Sequence, residues 1–114
     1  MAFDAPLLID IKVGSALGTR IVTLNGPLTL RNMFELQSML RSGEAPKLSI
    51  IDLSGVPYMD SAGMGLVVNH YVHCQSNGVK FFVVGVNQRV LDLFKITKVD
   101  GVIPQKPSVE AAEA

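Results

Sequence analysis

A run of apolar, β-branched residues, Leu48-Ser49-Ile50-Ile51-Asp52-Leu53, predicts a short buried strand near the middle of the chain. A small polar turn, Met59-Asp60-Ser61-Ala62-Gly63-Met64-Gly65, follows it, and from Ser61 to about Gln75 the pattern is long enough for a helix. Earlier in the chain, Leu7 to Val13 partly alternates apolar with polar residues, Gly14 to Gly18 reads as a turn, and Thr19 to Leu24 reads as a second strand ending at Asn25-Gly26-Pro27. From Thr29 or Leu30 to Leu40, the residues Leu30, Met33, Phe34, Leu36, Gln37 and Leu40 recur at mostly three- and four-residue spacing. That is an amphipathic helix, ended by Ser42-Gly43 with Pro46 beyond. Val79 to Gly85 predicts a strand, Gln88 to Phe94 a helix, and Val102-Ile103 a short final strand. The tail from Pro104 is polar with a small Ala/Glu run, so it forms one short helix or frays. This alternation predicts the α/β class: a mixed sheet of about four to five strands covered by three to four helices.

Composition narrows the picture. With 114 residues the chain is expected to form one domain over 1–114, its core about 7–103 and its tail 104–114. Ten basic and ten acidic residues leave no net charge, which argues against a nucleic acid or an anionic membrane as partner and favours another protein. The single cysteine, Cys74, has no internal disulfide partner, and the amino terminus lacks the pattern of a secretory signal, so a cytoplasmic location is expected. No apolar run approaches the roughly twenty residues needed to span a bilayer.

The turn before the long helix holds the candidate chemistry. Ser61 is placed as an N-cap, with Asp60 as a second cap candidate, and a phosphate on Ser61 would meet unpaired N–H groups and the positive end of the helix dipole. Serine at a helix start is ordinarily a cap and nothing more, and Gly63 and Gly65 can serve only close packing on the sheet. Pro57, Tyr58 and Met59 lie in the connecting loop, where exposed Tyr58 and Met59 would suit a protein contact; the opposing reading folds them under the loop as core. Asp52 is expected to bond the loop that follows its strand.

The stretch from Leu48 to Phe94 resembles the STAS family, the sulfate transporter and anti-sigma factor antagonist domains, and within it the free-standing bacterial anti-sigma factor antagonists. The resemblance is carried by the Ile-Ile-Asp-Leu strand, the connecting Ser54-Gly55-Val56-Pro57-Tyr58-Met59, the Asp-Ser-Ala-Gly-Met-Gly turn, the strand Val79–Gly85, and Val90-Leu91-Asp92-Leu93-Phe94 with its following Ile-Thr pair. It implies that Ser61 is phosphorylated by a serine kinase that doubles as the anti-sigma factor, with Asp60 part of the motif the kinase recognises. It further implies that the unphosphorylated form binds that kinase and frees a sigma factor, and that a PP2C-type phosphatase resets the switch. The partner footprint is then Tyr58, Met59, Asp60, Ser61, Ala62, Gly63 and Met64, with the Leu30–Leu40 helix at its edge. A weak homodimer is left open. The chain departs from the family at Gly26-Pro27-Leu28-Thr29, where many members carry an acidic pair. That departure bears on partner identity, and Thr29 can be only a cap of the first helix. A second reading within the family is a scaffold subunit of a stress-sensing assembly or of a lipid or solute transport complex.

Enzyme readings fare poorly. A hydrolase nucleophile elbow needs glycine where Met59 stands, and no histidine follows His73. Gly63-Met64-Gly65 lacks the third glycine of a dinucleotide fingerprint, which is Val68, and there is no P-loop lysine, so nucleotide binding is weakly supported. His70, His73 and Cys74 share one helix, but His70 and Cys74 offer two metal ligands with no second cluster to complete a site. No catalytic residue, cofactor or metal is expected.

Overall fold

The computed structural model describes residues 6–114. Its strands are β1 (Leu8–Val13), β2 (Thr19–Asn25), β3 (Leu48–Gly55), β4 (Lys80–Val84) and β5 (Gln105–Lys106), and its helices are α1 (Met33–Leu40), α2 (Ser61–Ser76), α3 (Gln88–Ile96) and α4 (Val109–Glu113). The strands form one five-stranded sheet in the order β1-β2-β3-β4-β5. β1 runs antiparallel to β2, and the remaining pairs are parallel. The α/β class and the mixed sheet expected from the alternation are what the chain forms.

Side chains alternate across a strand, so the register separates two layers. Val22, Ile51 and Val83 lie in one row, and with Leu24, Leu53, Phe81, Leu36, Val67 and Phe94 they form the main core beneath α1, α2 and α3. On the opposite face Ile50 and Val84 pack against Ala112 of α4, with Ile21, Phe82 and Val109 around them. The tail therefore forms a helix: Ser108 caps it by accepting from Ala111 N–H at 3.2 Å, and Glu113 accepts from Ser15 N–H at 2.8 Å across the sheet.

Two boundaries differ from the sequence pattern. α1 begins at Met33 because Asn32 folds back, accepting from Thr29 N–H at 2.8 Å and donating to Pro27 O at 2.6 Å, so residues 29–32 turn before the helix starts. Thr29 is buried and is not the cap of α1; the N-cap position is Asn32. Starting at Met33 also reassigns the stripe: Leu36 and Leu40 face the core, whereas Leu30 and Phe34 are exposed. The final strand lies at Gln105–Lys106 rather than at Val102-Ile103. α3 closes with Lys98 at φ 62° and Val99 N–H donating to Phe94 O at 2.9 Å, the geometry of a Schellman end. The N–H groups of Val102 and Ile103 then both donate to Val99 O, which holds that pair in a turn with Ile103 buried. Among the described residues no helix is long and apolar enough to cross a membrane.

Candidate functional site

The site is assembled where β3 hands over to α2. After Gly55 the chain turns, Val56 N–H donating to Leu53 O at 2.9 Å, and Asp52 Oδ1 accepts from Ser54 N–H at 2.9 Å, a bond inside the last residues of β3 rather than the bond to the loop beyond that is expected of Asp52. The loop then lies alongside the segment that follows β2. Leu28 N–H donates to Tyr58 O and Asp60 N–H donates to Leu28 O, each at 3.2 Å, so Leu28 and Met59 form an isolated parallel bridge.

Asp60 is the cap of α2. Its Oδ1 accepts from Gly63 N–H at 2.9 Å, while Oδ2 accepts from Leu30 N–H at 3.1 Å. One carboxylate thus fastens both the start of α2 and the approach to α1. Gly63 makes the approach possible, because a Cβ there would sit 2.3 Å from Leu28 O. Between these anchors Ser61 is the first residue of α2 and is exposed. Of the two cap candidates the structure selects Asp60, and Ser61 is released from that duty. The reason is geometric: the extended backbone at Asp60 (φ −98°, ψ −176°) aims its side chain at the free N–H groups, whereas Ser61 already has helical backbone.

Around Ser61 the sequence-expected footprint divides by burial. Met59, Gly63 and Met64 are buried, so Met59 takes the core reading rather than the exposed one. Asp60, Ala62 and Tyr58 are partly accessible and Ser61 is exposed. The Arg89 guanidinium lies over the Tyr58 ring, 5.2 Å from its centroid. Arg89 belongs to α3, whose cap Asn87 accepts from Val90 N–H and donates to Val56 O, both at 2.8 Å, fixing α3 to the same loop. Sequence reasoning set the Leu30–Leu40 helix at the edge of this footprint without singling out Leu30 or Phe34 as exposed, and it did not place Arg89 here. Leu30, whose N–H joins the clip, and Phe34 in the first turn of α1 are 57% and 61% exposed. Their signal was present as a surplus: α1 carries more apolar positions than one buried stripe can hold.

The far end of α2 is different in kind. His70 and Cys74 are buried, and His70 Nε2 lies 3.2 Å from Ser49 Oγ and 3.5 Å from Cys74 Sγ. Burial, helped by the Arg20, His73 and Arg41 charges, lowers the His70 pKa from 6.5 to about 4, so the ring is neutral at ordinary pH. Burial also raises the Cys74 thiol. Arg20 donates from Nη2 to Leu40 O at 3.1 Å, and with Arg41, His70, His73 and Cys74 it borders a cavity of about 350 Å³. Among the described residues no three metal-ligating side chains converge.

Comparison with known proteins places these observations in a family. The STAS domain model matches residues 10–112. An anti-sigma-B factor antagonist of Staphylococcus aureus is 31% identical over 78 residues, covering 67% of this chain and 72% of that protein. Among solved structures, an anti-sigma factor antagonist from Mycobacterium paratuberculosis superposes with a TM-score of 0.82 at 19% identity, covering 94% of this chain and 91% of that one. A sulfate transporter family protein from Wolinella succinogenes gives 0.70 at 22% identity, covering 85% and 83% of the two chains. At these identities the structural matches speak for the fold.

Proposed function

Because this chain belongs to the STAS domain family, we propose that it is an anti-sigma factor antagonist whose capture of an anti-sigma factor serine kinase is switched by phosphorylation of Ser61. The observation that carries this reading is an exposed hydroxyl at the first position of α2, on a backbone that Asp60 fastens to Gly63 and Leu30. The relative named as an anti-sigma-B factor antagonist, 31% identical over 78 residues, supports it.

The switch follows from charge. Phosphorylation adds roughly 1.5 to 2 negative charges and three acceptor oxygens at Ser61. The free N–H groups and dipole of α2 stabilise that charge locally. A partner surface shaped for a hydroxyl beside the single Asp60 carboxylate then meets a dianion, and each 1.4 kcal/mol of repulsion or unpaired charge weakens the complex tenfold. Since the clip around Asp60 does not involve the Ser61 side chain, affinity changes while the fold persists. Tyr58, Asp60, Ser61 and Ala62 form the accessible centre of the contact, Leu30 and Phe34 contribute apolar area beside it, and Met59, Gly63 and Met64 shape it from beneath. The protein acts as a binding partner in the cytoplasm, and a PP2C-type phosphatase returns it to the active form.

The unmodified protein is used to capture its kinase, ATP is added, and the modified residue is mapped by mass spectrometry. Phosphate on Ser61 is expected, and reproducible phosphate on Ser54 or Thr97 with Ser61 untouched overturns the assignment. Titration against the captured kinase then compares three forms. Ser61→Ala binds like the unmodified protein and resists inactivation, whereas Ser61→Asp binds at least tenfold more weakly. Equal affinities for all three folded forms favour the scaffold reading.

A further inference from the structure

β1 is the edge of the sheet, and its six residues, Leu-Ile-Asp-Ile-Lys-Val, carry an internal symmetry. Gly14 N–H donates to Thr19 O at 2.9 Å, and the register pairs Val13 with Arg20, Lys12 with Ile21 and Asp10 with Thr23. In an antiparallel ladder hydrogen-bonded pairs alternate with non-bonded ones. Gly14, Lys12, Asp10 and Leu8 therefore turn their N–H and C=O groups toward β2, and Ile9, Ile11 and Val13 turn theirs to the open edge. The side chains of Ile11 and Val13 are 38% and 83% exposed on the face covered by α1, α2 and α3, and Leu8 is 64% exposed on the face covered by α4.

We infer that this edge docks on β1 of a second copy of the chain, antiparallel, with the two-fold axis through Ile11. About this axis Ile11 meets Ile11 of the second copy, and Ile9 meets Val13. These are the residues with outward backbone groups, so each pair exchanges two hydrogen bonds, about six in all. The same axis sets Asp10 opposite Lys12 of the second copy, and Lys12 opposite its Asp10, in the non-bonded pairs where side chains come closest. Leu8 falls opposite Gly14, which has no side chain to obstruct it. Charged residues on an edge ordinarily repel another strand. Here their opposite signs, one residue to either side of the axis, make the edge complementary to itself. Within one copy Lys12 Nζ and Asp10 Oδ2 lie 3.4 Å apart and are well exposed, a pairing of little strength that gives way to the cross-strand one. No other occupant is so closely specified by this strand.

Sedimentation velocity over a concentration series tests the pairing on the full chain. The unmodified protein is expected to show a reversible monomer–dimer equilibrium. Asp10→Lys alone and Lys12→Asp alone place like charges opposite each other, and each weakens self-association at least tenfold while circular dichroism stays unchanged. An equimolar mixture of the two variants restores both opposite-charge pairs and recovers the dimer as a heterodimer. In amide exchange, Ile9, Ile11 and Val13 gain protection as concentration rises, while Asp10 and Lys12, already bonded to β2, do not. A protein that stays monomeric at millimolar concentration overturns the inference. So does a dimer indifferent to the single variants, a mixture that fails to re-pair, or protection that falls on another surface.

Discussion

The two ends of α2 show how one helix divides accessible polar chemistry from enclosed polar chemistry. At the first turn, Asp60 uses both carboxylate oxygens on backbone donors, and the neighbouring Ser61 is exposed. Nearer the last turn, Ser49 and Cys74 each lie within bonding distance of His70, and all three are buried. Polar groups that are both bonded and buried specify packing. A polar group that is exposed on a rigid, separately fastened support is available to a partner. The difference resides in neighbours rather than residue type, since serine occurs at both ends, as Ser61 and as Ser49.

The comparison breaks most readily at Gly63. Replacing it by Val forces a side chain against Leu28 O, and urea unfolding is expected to show a loss of about 4 kcal/mol. A loss below about 1 kcal/mol would mean the clip yields easily and that the support of Ser61 is not rigid.

The enclosed end has its own signature in pH. The folded pKa of His70 is about 4, below the ordinary 6.5, so between these values the unfolded chain binds more protons than the folded one. Stability contributed by the neutral ring is complete above pH 6.5 and falls as pH drops toward 4, by on the order of 3 kcal/mol. In His70→Gln this part of the slope disappears; an unchanged slope assigns the pH dependence to other groups.

Smaller effects separate the cap from its neighbour. Asp60→Ala loses two charge-assisted bonds and is expected to cost about 2 kcal/mol, and Asp60→Asn, which keeps a cap acceptor, about half of that. Ser61→Ala is expected to change stability by no more than about 0.5 kcal/mol, because an exposed side chain at that position caps nothing. Thermal or urea unfolding of the three variants ranks them, and a Ser61→Ala loss as large as that of Asp60→Ala would return the cap to the serine.

The sequence pattern read best where periodicity was long or the strand short and apolar. β3 and α2, with the Asp-Ser turn between them, stand within a residue or two of expectation, because the β-branched run and the helical pattern meet at a polar boundary. The beginning of α1 was hidden because the Asn32 side chain satisfies Thr29 N–H and Pro27 O, a bond between neighbours that apolar spacing does not reveal. β5 was displaced by the turn that closes after Lys98, where lysine occupies the left-handed conformation usually marked by glycine. At the candidate site the sequence singled out Asp60 and Ser61 but not which of them caps the helix. Assigning the cap to Asp60 requires knowing that its other oxygen reaches Leu30, thirty positions earlier in the chain.

The bond from Ser15 to Glu113 links positions separated by 98 residues, and it bears on how the protein is made. Because the strands lie side by side in the order in which they occur in the chain, each can add to its predecessor as it leaves the ribosome. At about 5 to 20 residues per second, synthesis takes several seconds to pass from the β1–β2 turn to α4. From the time β3 emerges until α4 does, Ile50 lacks its cover from Ala112, and the nascent sheet presents one unfinished apolar face. α4 is thus the latch that closes this face of the sheet, and the interval before it closes is when a chaperone has most to protect.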